Sequence, residues 1–172
     1  MNFKVSIDIE PTIENIKELT EKYDITFNLN EYGNMYNLGY YDILIYCCKN
    51  YPIENNTYIY TYILDDYINN KIDIKEAKKW IDPLVDIGIN IEFESENESI
   101  LHYVVYYEPK YDDSNVTLTN TINIFDYLIS KGANVNKALK LIQEEDTNIL
   151  FDKLIEYLKA YEDVQTKKIE FD

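Results

Sequence analysis

The chain has 172 residues, of which 46% are hydrophobic and 15% are aromatic. That content is too apolar for a disordered protein, and the length allows a buried core, so we predict a single domain over residues 1–172. The net charge of −16 argues against nucleic acid or an anionic membrane as a direct ligand, and it favours a basic partner or serves only solubility.

The N-terminal part is predicted to hold two helices joined by a loop. Residues 1–10 alternate apolar and polar side chains, which is typical of a short strand or an extended cap. Pro11 suits the first turn of a helix. The apolar face of that helix would carry Ile13, Ile16, Leu19 and Tyr23. Residues 31–39 are predicted to form a polar, finger-like loop, and residues 41–50 form a helix that ends before Pro52.

The central part is predicted to add two more helices. Residues 57–68 place Ile59, Tyr62, Ile63 and Tyr67 on one helical face, and the polar residues 69–71 end that helix. Asp73 can then cap a helix that runs through Trp80. Pro83 either kinks this helix or starts a new turn.

The C-terminal part is predicted to repeat the pattern of a finger followed by helices. Residues 92–97 form the finger, and a helix over 98–107 follows it. A surface loop over 108–119 then leads to a helix over 120–131. The remaining predicted elements are a weak helix over 136–143, a terminal helix over 147–163 with Leu150, Leu154, Ile155 and Leu158 buried, and a frayed tail over 164–172.

Two segments recur within the chain. The run 81–91 (IDPLVDIGINI) matches 125–135 (FDYLISKGANV), and their glycines, Gly88 and Gly132, lie 44 positions apart. Glycine suits the position after a helix end because φ is often positive there. The run 100–106 (ILHYVVY) likewise matches 43–49 (ILIYCCK) at an offset of 57.

These segments resemble the ankyrin repeat. Ser99-Ile100-Leu101-His102 stands for the family's Thr-Pro-Leu-His helix start, and Val104-Val105 and Cys47-Cys48 stand for its Ala-Ala pair. Residues 125–136 stand for its second helix and the following Gly-Ala-Asp-Val-Asn. The spacings of 44 and 57 exceed the family's roughly 33 residues, which implies insertions or an extra helix.

The resemblance implies an all-α fold, an ankyrin-like helix-turn-helix solenoid of three to four irregular repeats with the extended N-terminal cap. It also implies a structural role for His102, whose ring would hold neighbouring turns by hydrogen bonds. Without the apolar region of a signal peptide or a run long enough to cross a membrane, we expect a cytoplasmic protein, in the source cell or in a host cell.

The sequence contains few residues that could form a catalytic or metal-binding site. Cys47 and Cys48 are predicted to be buried core residues and therefore unactivated, and no nucleophile is placed beside His102. The acidic run 112–115 lacks the glycine and the distal glutamate of a calcium loop. We therefore predict no enzyme activity and no cofactor; a metal-dependent hydrolase is kept only as a remote alternative.

A partner-binding surface is predicted instead, because the family's concave face is built from the fingers and from first-helix residues that do not pack inward. Tyrosine gives a large contact area at low entropic cost, and carboxylates beside it steer basic partners. The residues that match these positions are Tyr32, Tyr36, Tyr40, Tyr46, Lys49, Glu92, Glu94, Glu96, Glu98, Tyr103 and Tyr106. The alternative is that half of these tyrosines pack between repeats and that the glutamates are merely solvated.

The function predicted from these features is protein binding without catalysis. The preferred hypothesis is a small acidic inhibitor or immunity-type protein that blocks a basic partner, such as a nuclease, through the tyrosine- and glutamate-rich face. The second hypothesis is a nucleic-acid mimic of the anti-restriction or anti-CRISPR type, whose acidic surface occupies a DNA- or RNA-binding channel.

Overall fold

The structure is a computed structural model, and the part of the chain that it describes falls into two compact units. The described residues are 12–23, 26–53, 56–107, 115–143 and 152–161, without the side chains of 107 and 115–118. The first unit covers Met1–Ile59 and the second covers Tyr60–Asp172. The residues predicted as an N-terminal cap and as a frayed tail lie outside the described ranges. Within those ranges the regular elements are helices and no strand occurs, which confirms the all-α prediction.

The first unit contains α1 (Ile13–Tyr23), α2 (Leu29–Asn37) and α3 (Tyr41–Asn50), and α3 packs against both other helices. A short 3₁₀ turn over Asn56–Tyr58 follows. The prediction for α3 is confirmed at both ends. The predicted loop over 31–39 is wrong, because most of it is the helix α2.

A capping box explains why α2 forms. The Asn28 side chain accepts hydrogen bonds from the backbone N–H groups of Asn30 and Glu31 at 2.9 and 3.3 Å. The Glu31 carboxylate accepts the N–H of Asn28 in return, at 2.6 Å. These bonds satisfy amides that a helix start otherwise leaves without partners. Tyr32 and Tyr36, one helical turn apart, then share a buried face.

The second unit is a succession of helices in which α6 packs against α7 and α8. Its elements are α4 (Ile59–Ile68), which begins at the boundary, α5 (Ile74–Asp86), α6 (Ile100–Tyr107), α7 (Asn115–Ser130), α8 (Val135–Gln143) and α9, described over 152–161. The predicted loop over 108–119 is wrong at its end, since α7 begins at Asn115. The structure confirms Asp73 as the cap of α5, accepting the Glu76 N–H at 2.8 Å. Pro83 lies inside that helix, which continues through it.

The two glycines of the repeat end their helices in the same way. At the end of α5, the Gly88 N–H bonds to the Val85 carbonyl at 2.9 Å, and the Ile89 N–H reaches back to the Leu84 carbonyl at 3.0 Å. Gly132 ends α7 with the same pair of bonds, and the glycines have φ values of 93° and 104°. The same turn follows α2 and α4, at Gly39 and Asn70. The local match between 81–91 and 125–135 is therefore structural.

The cores of both units are aliphatic and aromatic. Leu84 and Leu128, paired by the repeat, are both fully buried, as are Leu154 and Leu158 in α9, which the sequence pattern placed inside. Trp80 is 7% exposed and lies in the second unit. No described helix is both long enough and apolar enough to cross a membrane.

Candidate interaction surface

A buried carboxylate organises the segment that leads into α6. Glu92 is 8% exposed. Its Oε1 accepts the backbone N–H groups of Phe93 and Ile100, each at 3.0 Å. Its Oε2 accepts the N–H of Asn134 at 2.9 Å and lies 3.4 Å from the Ser99 hydroxyl. One side chain therefore joins the start of α6 to the turn before α8.

Lys137 completes this buried group. Its ammonium donates to the Phe93 carbonyl at 2.6 Å and lies 3.7 Å from Glu92 Oε1. A buried charge with this many donors is stable where an unpaired one would be costly. The prediction that Glu92 lies on a binding surface is therefore corrected: its carboxylate points inward and is saturated by the protein's own donors.

The glutamates that follow lie outside this group. Glu94 and Glu96 are exposed and Glu98 is half-buried. No lysine or arginine occurs over residues 80–109, a stretch that contains seven acidic residues. Lysines from elsewhere in the chain approach two of these carboxylates, Lys137 at Glu92 and Lys131 at Asp82.

The helix α6, which follows these glutamates in the chain, carries aromatic rings on one face. His102 and Tyr106 lie one turn apart, with ring centroids separated by 6.0 Å. Tyr106 is 44% exposed, a large fraction for an aromatic side chain. Tyr103 lies beside them and is half-buried. We call Glu94, Glu96, Glu98, His102, Tyr103 and Tyr106 the α6 surface.

Tyr103 is held in place by two contacts. Its hydroxyl donates to Asp65 Oδ1 on α4 at 2.6 Å. The Phe93 ring approaches its own ring edge-on, with the centroids 6.3 Å apart. The ring is therefore oriented before any partner arrives, which lowers the entropic cost of binding.

The candidate residues of the first unit divide into buried and accessible ones. Tyr32 is 0% and Tyr36 is 5% exposed, so their placement on a binding surface is corrected. The Tyr32 hydroxyl is directed at the carbonyls of Cys47, at 3.1 Å, and Tyr51, at the end of α3. The physical reason is that α2 is a helix, so its tyrosines share an inward face.

Tyr40, Tyr46 and Lys49 remain accessible in part. Tyr40 and Tyr46 are half-buried and Lys49 is exposed. Tyr46 packs its ring 6.1 Å from that of Tyr51, and the Lys17 ammonium lies 5.4 Å from the Tyr46 centroid. Partial burial and the hydrogen bond with Tyr51 raise the pKa of Tyr46 to about 12. Part of the Tyr46 ring is thus used to join α1 to α3.

The sequence reasoning missed a charged cluster between α5 and α7. The Tyr127 hydroxyl donates to Asp82 Oδ1 at 2.9 Å, and the Lys131 ammonium lies 2.5 Å from the same oxygen. Lys131 and Lys78 also lie 5.6 and 4.9 Å from the Tyr127 ring centroid. Burial opposes ionisation of Asp82, but the bonds from Lys131 and Tyr127 outweigh it and lower the pKa of Asp82.

An open groove of about 440 Å³ lies beside this cluster. Its lining residues are Ile74, Lys78, Asn123, Asp126, Tyr127 and Ser130. Asp82 and Asp126 occupy equivalent positions in the 44-residue repeat, and each accepts a tyrosine hydroxyl, from Tyr127 and Tyr157 respectively. The recurring aspartate was visible in the sequence, whereas its tyrosine partners come from unrelated spacings.

The cysteines lie where the sequence pattern placed them. Cys47 and Cys48 are buried in α3, and burial raises the pKa of each thiol to about 12. At neutral pH both are therefore protonated and poorly nucleophilic. Within the described ranges, no three His, Cys, Asp or Glu side chains are grouped so that they could hold a metal ion.

Comparison of the chain with protein-family models, with curated proteins and with solved structures gave no match. The ankyrin resemblance therefore stays a prediction from the residues.

Proposed function

We propose that this protein is a protein-binding module and that the α6 surface is where its partner docks. The observation that carries this proposal is the exposure of Tyr106: this 44% exposed ring lies on the same helix as the pre-oriented Tyr103, and a glutamate-rich segment leads into that helix. Rigid, partly exposed tyrosines of this kind dominate the binding energy of many protein interfaces.

Charge supports a basic partner. The whole chain has a net charge of −16, and the stretch that contains the α6 surface has seven acidic residues and no basic one. Such a field accelerates encounter with a positively charged protein and repels nucleic acid. In our proposal the protein is an inhibitor or immunity-type binder that blocks a basic protein, such as a nuclease, without catalysing a reaction.

An ankyrin-like arrangement is part of the same proposal. The support for it is the order of elements at the end of the second unit, in which the glycine-ended helix α7 is followed by a turn and then by α8, which packs on α6. In repeats of this kind the first helix of each pair lines the binding face. The helix α6 holds that position in our proposal.

The test is to replace the exposed ring and measure affinity. Capture from the source cell identifies a partner, and its Kd is then measured for wild type, Tyr106→Ala and Tyr23→Ala. Tyr23 is a matched control, because it is 59% exposed in the first unit. We expect Tyr106→Ala to weaken binding by a factor of about 30, the range of a hot-spot residue, and Tyr23→Ala by less than about twofold. Equal effects would refute the α6 surface.

The nucleic-acid mimic gives a different outcome in the same assay. Its affinity should fall steeply with salt and gradually with each charge reversal at Glu94, Glu96 or Glu98, while Tyr106→Ala would matter little. A sharp loss at Tyr106 with a shallow salt dependence would separate the two hypotheses in favour of the binder.

A further inference from the structure

Hydrogen bonds from tyrosine hydroxyls to aspartate carboxylates join three pairs of helices in the second unit. In each pair the earlier helix supplies the carboxylate and the later helix supplies the phenol, and one other helix lies between them in the chain. One bond that recurs in one direction is typical of a repeat, in which each unit stacks on its predecessor. The bonds join Asp65 to Tyr103 (α4 to α6), Asp82 to Tyr127 (α5 to α7) and Asp126 to Tyr157 (α7 to α9).

The helix α7 takes part in two of these bonds, one in each direction along the chain. Its Tyr127 donates to Asp82 of α5, and the preceding residue, Asp126, accepts the hydroxyl of Tyr157 in α9. Adjacent residues on a helix point about 100° apart, so the two side chains reach different neighbours. We therefore place α5, α7 and α9 in one row, with α7 in the middle.

The sequence of each helix in this row fits its place. Residues 80–84 (WIDPL), 124–128 (IFDYL) and 154–158 (LIEYL) share two apolar residues, an acidic residue and a final leucine, which is fully buried in all three. Tyr127 and Tyr157 follow the acidic residue in the two later helices. The helix α5, which begins the row, has Pro83 at that position, and proline has no hydroxyl. The third copy starts 30 residues after the second rather than 44, so the spacing of the glycine turns does not reveal it.

The two bonds of the row differ in their surroundings. Between α5 and α7, Tyr127 is 7% exposed, and the Lys131 ammonium pairs with the same carboxylate oxygen at 2.5 Å. Between α7 and α9, Asp126 is exposed and Tyr157 is half-buried. Because water competes for an exposed acceptor, an exposed bond contributes less than a buried one that a charge assists. The α5–α7 contact should therefore be the more stable of the two.

We propose that the phenol–carboxylate bond is the rule by which helices stack in the second unit, and that the row α5–α7–α9 opens from its α9 end. This conformational device is distinct from the α6 surface. Opening withdraws Tyr157 from Asp126 and uncovers Leu154 and Leu158, which are fully buried in the closed form. Asp126 also lines the open groove, so the groove then gains a carboxylate oxygen that is bonded to Tyr157 when the row is closed.

The test is amide hydrogen exchange of the full chain, followed by mass spectrometry on peptides from α5, α7 and α9, because exchange reports the opening of each segment separately. Tyr157→Phe removes the phenol hydroxyl and keeps the ring. Tyr161→Phe is the matched control, one turn further along the same helix and half-buried like Tyr157. Tyr157→Phe is also made in an Asp126→Ala background, in which the bond is already lost. Circular dichroism checks that each variant is folded.

We expect the wild-type amides of α9 to exchange at least about tenfold faster than those of α5, relative to the rates of the unfolded chain. Tyr157→Phe should speed exchange in α9 by about fivefold and leave α5 unchanged, and Tyr161→Phe should change α9 by less than about twofold. In the Asp126→Ala background, Tyr157→Phe should add less than about 1.5-fold, because changes to the two partners of one bond are not additive.

The outcomes that overturn the inference concern its two parts separately. Equal protection of α9 and α5 in wild type overturns the order of opening, and this result needs no variant. An effect of Tyr157→Phe that is the same with and without Asp126, or that equals the effect of Tyr161→Phe, overturns the bond as the stacking rule.

Discussion

Two segments of this chain have similar composition and were predicted to be similar fingers, but they fold differently. Residues 31–39 (EYGNMYNLG) and residues 92–97 (EFESEN) are both polar, and each begins with a glutamate followed by an aromatic residue. The first segment is mostly the helix α2, with its tyrosines buried, and the second is non-helical, with its first glutamate buried and the next ones exposed.

The difference lies in what each initial glutamate bonds. Glu31 closes a capping box with Asn28, three residues earlier, and so starts a helix locally. Glu92 bonds the amides of Ile100 and Asn134, eight and 42 residues away. The same residue type therefore organises local structure in one unit and distant structure in the other. The lesson is that a carboxylate's role follows from which unpaired amides lie within its reach.

The largest expected effect is at Glu92. Glu92→Ala would remove the acceptor of three backbone N–H groups, two of them in buried bonds, and the carboxylate that pairs with the Lys137 ammonium, and we expect a loss of about 3–5 kcal/mol in the free energy of unfolding. Glu94→Ala, at an exposed position, should cost less than about 0.5 kcal/mol. Urea denaturation followed by the fluorescence of Trp80, the single tryptophan, measures both. A cost below about 1 kcal/mol at Glu92 would contradict its central role.

A smaller effect is expected at Tyr32. Tyr32→Phe keeps the ring in the core of the first unit but removes the hydroxyl that faces the carbonyls of Cys47 and Tyr51. We expect a loss of about 1–2 kcal/mol in the free energy of unfolding, since the hydrogen bonds from this hydroxyl to the two carbonyls are lost. Thermal unfolding followed by circular dichroism measures this loss. Tyr23→Phe, at a 59% exposed position, should leave the stability unchanged in the same experiment. If the two variants behaved alike, the buried position assigned to Tyr32 would be wrong.

The remaining predictions concern the left-handed turns that end helices, which the two segments share, and they include the smallest expected effect. Gly39 ends α2 and Gly88 ends α5 before the second segment, at φ values of 72° and 93°. A Cβ at either glycine would meet no atom within 4 Å, so only the left-handed backbone opposes alanine there. Each Gly→Ala change should cost about 1–2 kcal/mol, by equal amounts, in urea denaturation. If the two Gly→Ala variants lost unequal amounts of stability, contacts around the glycines would contribute to the cost in addition to the left-handed backbone.

Asn70→Gly, at φ 55° after α4, should have the opposite effect and stabilise the protein by a few tenths of a kcal/mol.

Much of the fold could be predicted because its signals are local. The helix over 41–50, the Asp73 cap and the glycine turns at 88 and 132 each depend on a few adjacent residues, and the structure confirms all of them. The loop predicted over 31–39 is wrong because two local features favour a helix there: the capping box Asn28–Glu31 and the four-residue spacing of Tyr32 and Tyr36. Those signals were present in the sequence.

The exposure of the candidate-surface residues was predicted less accurately than the helices. Tyr106, Glu94 and Glu96 are exposed, as helical spacing and acidity indicate for an outward face, whereas Tyr103 is half-buried. The inward position of Glu92, the first member of an alternating acidic run, depends on amides that the folding of α6 and α8 brings near it. The pairing of Tyr103 with Asp65 and of Tyr127 with Asp82 likewise joins residues 38 and 45 positions apart, and no local pattern indicates it.

The sequence by itself determined the helical class, most helix ends and the acidic character of the chain, because propensity, capping and charge act over a few residues or add up over all of them. The tertiary structure alone decided which carboxylates and phenols are saturated and which face outward. That choice depends on donors contributed by distant segments, and burial makes an unpaired charge so costly that each pairing becomes specific.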